Sequence, residues 1–288
     1  MRQPYQGTAI QEAPPPEDDT AHAGRGSDVE LAWEVLKKLA RKASAGCTEA
    51  YQPPAHTSAD AAQLLDLMLP LCVGERAPTF VVAHLGQSLD GRVATHTGAS
   101  KFITGPEDLR HTHRLRALFD AVLVGAETVM HDDPRLTTRL VTGESPTRVV
   151  LDPRARLDRR SKVFVDGAAD TLWVVGQDAL VSCPADHVDV VAVRMVGPSF
   201  DLGDLLACLR DRGLPRVFIE GGGVTVSRFI TEGLVDRLHL TVAPRIIGSG
   251  TPALCLPPAD RLSDTLHVNS RCVQLGQDML FDCDMRAA

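Results

Sequence analysis

From residue 79 onward, short apolar runs alternate with stretches of helical periodicity. Phe80 to Leu85, Ala121 to Gly125, Arg148 to Asp152, Thr171 to Val175, Val188 to Val193 and Arg216 to Glu220 are β-branched or aromatic runs of strand length. Leu238 to Ala243 and a short piece at Ser100 to Thr104 also read as extended. Between them, Pro106 opens a helix with an apolar stripe at Leu115, Leu118 and Phe119, and Leu202 to Leu209 forms another. Ala126 to Val129 reads as a turn or short helix. Strands alternating with helices predict an α/β fold, a mostly parallel central sheet with helices on both faces. The last two runs, about Asp264 to Gln274 and Met279 to Asp284, have no helix between them and predict an antiparallel C-terminal edge.

The N-terminal quarter has a different texture. Residues 1–27 carry Pro14-Pro15-Pro16, then Glu17, Asp18 and Asp19, and later glycines, and read as a disordered tail. Ser27 or Asp28 is placed to cap a first helix, whose apolar positions are Leu31, Val35, Leu36 and Leu39. A second helix is predicted from Ala61 to Leu69, stopped by Pro70. Residues 28–77 thus read as a helical appendage, a packing or dimer-contact arm, and residues 78–288 as the main domain.

Composition narrows the function class. The net charge is −7 and aromatics make up only 4%. That excludes a nucleic-acid-coating role or a base-stacking platform. The longest apolar stretch, near Leu64 to Val73, is interrupted by Asp66 and Pro70 and is too short to span a bilayer. Seven scattered cysteines, none three apart, read as reduced and mostly packing residues. His111 and His113 lie two apart on a helix, on different faces, and make a poor metal pair. No metal site is expected, and the cytoplasm is the expected location.

One stretch organises the candidate chemistry. Val217-Phe218-Ile219-Glu220 leads into Gly221-Gly222-Gly223, and Val226, Phe229 and Ile230 follow at helical spacing. A strand turning through glycines into a helix presents backbone N–H groups at a positive helix end, which suits a phosphate; a plain tight turn would read alike. Glu220 stands at the strand's carboxyl end, where open α/β sheets place ligands.

Further motifs occur in register: Gly86-x-Ser88-Leu89-Asp90-Gly91-Arg92, Ser100-x-Phe102-Ile103-Thr104, Thr128-x-x-x-Asp132-Asp133-Pro134-x-Leu136-Thr137-x-Arg139 and Glu220-Gly221-Gly222. With these, roughly Pro78 to Cys283 resembles the C-terminal reductase domain of the bacterial riboflavin-biosynthesis deaminase/reductase, the RibD C-terminal family, which has a dihydrofolate-reductase-like fold. The resemblance implies NADPH-dependent reduction of 5-amino-6-(5-phosphoribosylamino)uracil to its ribitylamino product. It places Gly86, Phe102, Thr128, Asp132, Gly222, Gly223, Val224 and Thr225 on cofactor positions. It places Ser100, Arg116, Leu136, Arg139 and Glu220 on substrate positions, and implies a homodimer. Arg116 and Arg139 are guanidinium forks of the kind a sugar phosphate needs. Asp132 and Glu220 are candidates for ribose hydroxyls or for proton handling.

Two departures stand out. The family's lysine two residues before the first glycine of the Gly-x-Ser-Leu-Asp-Gly run is His84 here, so His84 is expected to take over proton handling, unless the substrate differs. The H-x-E and P-C-x-x-C pattern of a zinc deaminase does not occur, and residues 1–77 are too few for that domain, which suggests a stand-alone reductase. Competing readings are a pterin or folate reductase using the same cleft, and a decayed nucleotide-binding regulator.

Overall fold

The computed structural model describes residues 23–47, 50–73 and 78–286, with side chains from Asp28 onward. Most of the expected N-terminal tail lies outside these residues. Its last part does not behave as a tail, because helix α1 (Ala23–Ser44) begins before the expected caps Ser27 and Asp28. Asp28 instead accepts from the Ser58 backbone N–H across the arm. That contact fixes the start of α2 (Ala59–Cys72). Pro70 does not stop this helix but sits in its last turn. Lacking an N–H, Pro70 leaves the Asp66 carbonyl four residues back without its helical donor. The Arg271 guanidinium takes that carbonyl at 2.5 Å.

The central sheet has nine strands. In chain order they are β1 (Phe80–Ser88), β3 (Ala121–Gly125), β4 (Thr147–Leu151), β5 (Thr171–Gly176), β6 (Val188–Val193), β9 (Arg216–Glu220), β10 (Arg237–Ala243), β12 (Asn269–Leu275) and β13 (Asp278–Asp284). Their spatial order is β12-β13-β10-β1-β9-β3-β4-β5-β6. All pairs from β10 to β6 are parallel, and β12 and β13 complete the antiparallel edge. Short strands β2 (Arg92–Thr95) and β11 (Gly250–Pro252) pair with each other, as do β7 (Met195–Val196) and β8 (Ser199–Phe200).

Alternation along the strands divides the core in two. Phe80, Val82 and Phe218 point to one face, where they join Leu115 and Leu118 of α3 (Pro106–Leu118). The arm's Trp33, Leu36, Leu65 and Met68 belong to that same cluster, so the helical appendage packs as part of the main core. Val81, Ala83, Val217 and Ile219 point the other way. There they meet Leu205 of α6 (Leu202–Asp211) and Phe229 of α7 (Gly223–Thr231).

Two expectations fail locally. Ser100 to Thr104 forms turns rather than a strand, with Phe102 at φ +60°. Of the cysteines, Cys72 and Cys283 are buried, whereas Cys47, Cys183, Cys255 and Cys272 are exposed, so most do not pack. All seven are free thiols.

Candidate active site

The chain runs from β1 through α3 to β3 on one side, then returns to insert β9 between them and crosses to β10 on the other side. The carboxyl ends of β1, β9 and β3 therefore flank the point where strand order reverses, the usual ligand crevice of an open sheet. β9 ends at Glu220 and turns through Gly221 (φ +68°) and Gly222 (φ +75°) into α7. These left-handed angles favour glycine. Close packing constrains the corner further. A Cβ at Gly222 would stand 3.2 Å from Thr128 Oγ1, and one at Gly125 would stand 2.9 Å from Thr225 Oγ1. A Cβ at Gly223 would overlap the Ala253 carbonyl oxygen. Thr128, on α4 (Ala126–Asp132), is thereby brought to the start of α7 beside Thr225. The backbone N–H groups of Gly223, Val224 and Thr225 have no carbonyl within the helix to bond. Gly222 and Val224 are exposed, and this cradle fits the phosphates of a nicotinamide cofactor.

A charged row crosses the sheet on the α3 face. The strand registers align Arg271 with Asp282, Asp282 with His239, His239 with His84, and His84 with Glu220. One row of five side chains thus links β12, β13, β10, β1 and β9. Its outer end closes on the arm, where Arg271 meets the Asp66 carboxylate at 2.5 Å. Its inner end closes on α3. There Arg116 holds Glu220 with both prongs, Nε to Oε2 at 2.7 Å and Nη2 to Oε1 at 2.5 Å. The remaining Arg116 nitrogen, Nη1, donates to the Thr137 carbonyl at 2.7 Å.

This pairing bears on the expected substrate role of Arg116. Its guanidinium is buried and committed to Glu220 and Thr137, so it is not a free fork for a phosphate. Arg139 is exposed, and no carboxylate pairs with it among the described residues. Burial and the nearby Arg116 and Arg135 guanidinium groups depress its pKa, with Glu220 opposing, which puts Arg139 within electrostatic reach of the corner. His113 Nδ1 accepts the Arg139 backbone N–H at 2.9 Å and so ties the loop after α4 to α3 at that residue. Burial, then Arg116 and Arg139, lower the His113 pKa to about 4, which keeps the ring a neutral acceptor.

Leu136 takes φ +56° and is 1% exposed, with its side chain in the core. Asp132 stands exposed at the end of α4, while Asp133 takes the left-handed cap (φ +40°) and binds Lys162. Ser100 is half-buried and Phe102 is 77% exposed, both on the loop after β2. Neither makes a side-chain contact that ties it to the corner among the described residues. At Gly86 packing is tight: a Cβ there would lie 2.8 Å from Thr104 Cγ2 and 3.5 Å from Asp108 Oδ2.

His84 is buried beside Asp108, with Nε2 2.9 Å from Asp108 Oδ1 and 3.3 Å from Thr241 Oγ1. Burial alone would lower its pKa, but the Asp108 carboxylate outweighs that and raises it. Asp108 and Thr241 were not among the residues singled out from sequence, and His113 was weighed only as a metal ligand. Arg237, His239 and Thr241 alternate along β10 inside a strand covered on both faces, and that polar alternation was the available signal.

Residues 79–281 match the RibD C-terminal domain family. The chain is 36% identical over 215 residues to the 2,5-diamino-6-ribosylamino-4(3H)-pyrimidinone 5′-phosphate reductase of Methanothermobacter thermautotrophicus, covering 70% of this chain and 96% of that one. It is 33% identical to the riboflavin biosynthesis protein RibD of Aquifex aeolicus, covering 70% of this chain but only 56% of that longer protein. The solved structure of Acinetobacter baumannii RibD superposes with a TM-score of 0.63 at 27% identity, over 78% of this chain and 62% of that one. With the match spanning the whole sheet and the glycine corner, the chain belongs to the RibD C-terminal domain family.

Proposed function

We propose that this protein is an NADPH-dependent reductase of riboflavin biosynthesis that converts 5-amino-6-(5-phosphoribosylamino)uracil into its ribitylamino product. The name of the archaeal relative carries the 2,5-diamino form of the same ribosylamino phosphate. The observation that supports the reading is the convergence, at the carboxyl ends of β1 and β9, of a glycine-cornered helix start, the Arg116–Glu220 pair and His84, with an exposed Arg139 within electrostatic reach.

Comparison of substrate and product defines the work. The C1′–O4′ bond of the ribose breaks, O4′ gains a proton and C1′ gains a hydride. The reduced nicotinamide, when bound, supplies the hydride; the protein supplies alignment and the proton. In this reading the amides of Gly222, Gly223, Val224 and Thr225 hold the cofactor phosphates, with Thr128, Asp132, Phe102 and Gly86 completing that side. Arg139 and Ser100 take the sugar phosphate, aided by the Leu136 backbone. Glu220, oriented by Arg116, accepts ribose hydroxyls, and His84 donates the proton.

Among the described residues no helix is long and apolar enough to cross a membrane, and we place the protein in the cytoplasm. The open edge of β12 supports a homodimer.

The test follows absorbance at the reduced nicotinamide band with three candidates: the phosphoribosylaminouracil, its 2,5-diamino counterpart and a dihydropterin. NADPH loss with a pyrimidine sugar phosphate is expected. Loss with the dihydropterin alone, or cofactor binding without loss in any mixture, refutes the reading.

A further inference from the structure

His84 is not an isolated histidine on a strand. Its Nε2 side is enclosed by Asp108 from α3 and Thr241 from β10, which are themselves joined by a 2.6 Å hydrogen bond from Thr241 Oγ1 to Asp108 Oδ1. Asp108 and Thr241 are both almost wholly buried. One carboxylate oxygen therefore accepts both the Thr241 hydroxyl and the His84 Nε2–H. The other ring nitrogen, Nδ1, has no hydrogen-bond partner among the described residues, and the side chain as a whole is 6% exposed. Gly86 makes room for this cluster, since any side chain there would press on Thr104 and Asp108.

We propose that Asp108, braced by Thr241, is the positioning residue that locks the His84 ring by its Nε2–H and aims Nδ1–H into the cleft as proton donor to the sugar ring oxygen. The inference rests on the reductase reading for its substrate but not for its geometry. In the step, the Nδ1 proton passes to O4′ as the C1′–O4′ electron pair moves onto that oxygen, and the hydride from the cofactor fills C1′. His84 leaves the step neutral and recovers its proton from water after the product departs. A lysine at this position would start from a far higher pKa and lose less of its charge to burial, whereas a buried imidazole needs a fixed anion at its back.

The groups facing His84 are consistent with a ring that stays charged until it reacts. From α3 come Asp108, His111 and Arg116; from β9 comes Glu220; from β10 come His239 and Thr241. Burial pushes His111 well below the ordinary histidine range, and it lowers His239 too, so neither ring adds a like charge. Arg116 is already neutralised by Glu220. Asp108 remains the uncompensated anion at contact distance, and its own pKa is depressed: burial would raise it, but His84 and Thr241 prevail.

The test combines two readouts on wild type, Asp108→Asn and His84→Gln. The first is an NMR titration of the His84 ring in substrate-free protein. Wild type is expected to titrate above the 6.5 of a free imidazole, and Asp108→Asn to bring the value down. The second is the pH profile of kcat. Wild type loses activity as pH rises through the His84 titration. Asp108→Asn moves that limb to lower pH and reduces kcat at pH 7.5 by about tenfold to a hundredfold, with the NADPH KM unchanged. His84→Gln abolishes the limb. An unmoved His84 titration in Asp108→Asn, or a limb that survives in His84→Gln, overturns the proposal. If no pyrimidine substrate is turned over, the reductase reading falls, while the NMR arm still decides whether Asp108 controls His84.

Discussion

Replacing Arg116 by alanine should destabilise the fold before it affects substrate binding. The side chain is 6% exposed and the Glu220 carboxylate 19% exposed, so the pair is largely out of water. The guanidinium donates twice to Glu220 and once to the Thr137 carbonyl, and its Nη1 also lies 3.4 Å from His113 Nε2. Its removal strands a partly buried carboxylate and a buried carbonyl. Breaking such a pair from one side costs about 3–5 kcal/mol. The opening of Glu220 towards the cleft lets water take part of the load and places the value near the lower end. Glu220→Gln keeps one acceptor and loses the charge, a cost of about 1.5–3 kcal/mol. The two groups touch, so the double variant should cost less than the sum of the singles, with a coupling of about 0.5–3 kcal/mol. The assay is thermal and urea unfolding of the four proteins in a double-mutant cycle. At roughly 2–4 °C per kcal/mol for a chain of this order, Arg116→Ala should lower Tm by about 6 °C or more. A Tm unchanged within a degree, together with a raised KM for the pyrimidine sugar phosphate, would refute the reasoning. It would restore Arg116 to the substrate-binding role that the family resemblance implies.

Further expectations follow from the same geometry. Gly223→Ala must displace either the start of α7 or the segment carrying Ala253, which Ser227 Oγ pins through the Cys255 N–H at 2.8 Å. A loss of about 1–3 kcal/mol with weakened NADPH binding by fluorescence titration is expected, and unaltered affinity would count against the corner as phosphate cradle. Asp282→Asn removes the anion shared by Arg237, Arg271 and His239 and should cost about 3–5 kcal/mol in unfolding experiments; a neutral result would mean that the charged row is not a structural link. The buried histidines give a signed pH dependence. His111 and His239 are depressed chiefly by burial, and His113 falls to about 4, so below 6.5 the unfolded chain binds protons that the folded chain refuses. The stability they contribute is complete above 6.5 and is lost as pH falls towards their folded values, whereas the raised His84 contributes below 6.5 and loses its share as pH rises. Tm should therefore drop between pH 6.5 and 5, less steeply in His113→Gln; an identical slope in that variant would contradict the assignment of His113.

Much of the architecture was legible because its signals are local. A parallel strand covered on both faces reads as a continuous apolar run, and β1, β3, β4, β5 and β9 all lie where such runs predict. The glycine corner was equally legible, since a positive φ at Gly221 and Gly222 is a property of the residues themselves. The errors came where a distant partner overrules a local preference. Pro70 stays within its helix because Arg271, from the last hairpin, satisfies the carbonyl that proline leaves without a donor.

The alternation of apolar and polar positions determined the layers of this protein, and the glycine spacing determined where a phosphate can approach its backbone. Neither reveals that His84 stands between Glu220 and His239, or that Arg116 is taken by Glu220. Those neighbours come from strands and a helix more than a hundred residues apart in the chain, and only parallel register sets them side by side. The identity of each charged side chain belongs to the sequence. Which opposite charge it meets, and how far from water, belongs to the fold, because a Coulomb interaction depends on separation in space and on the surrounding dielectric.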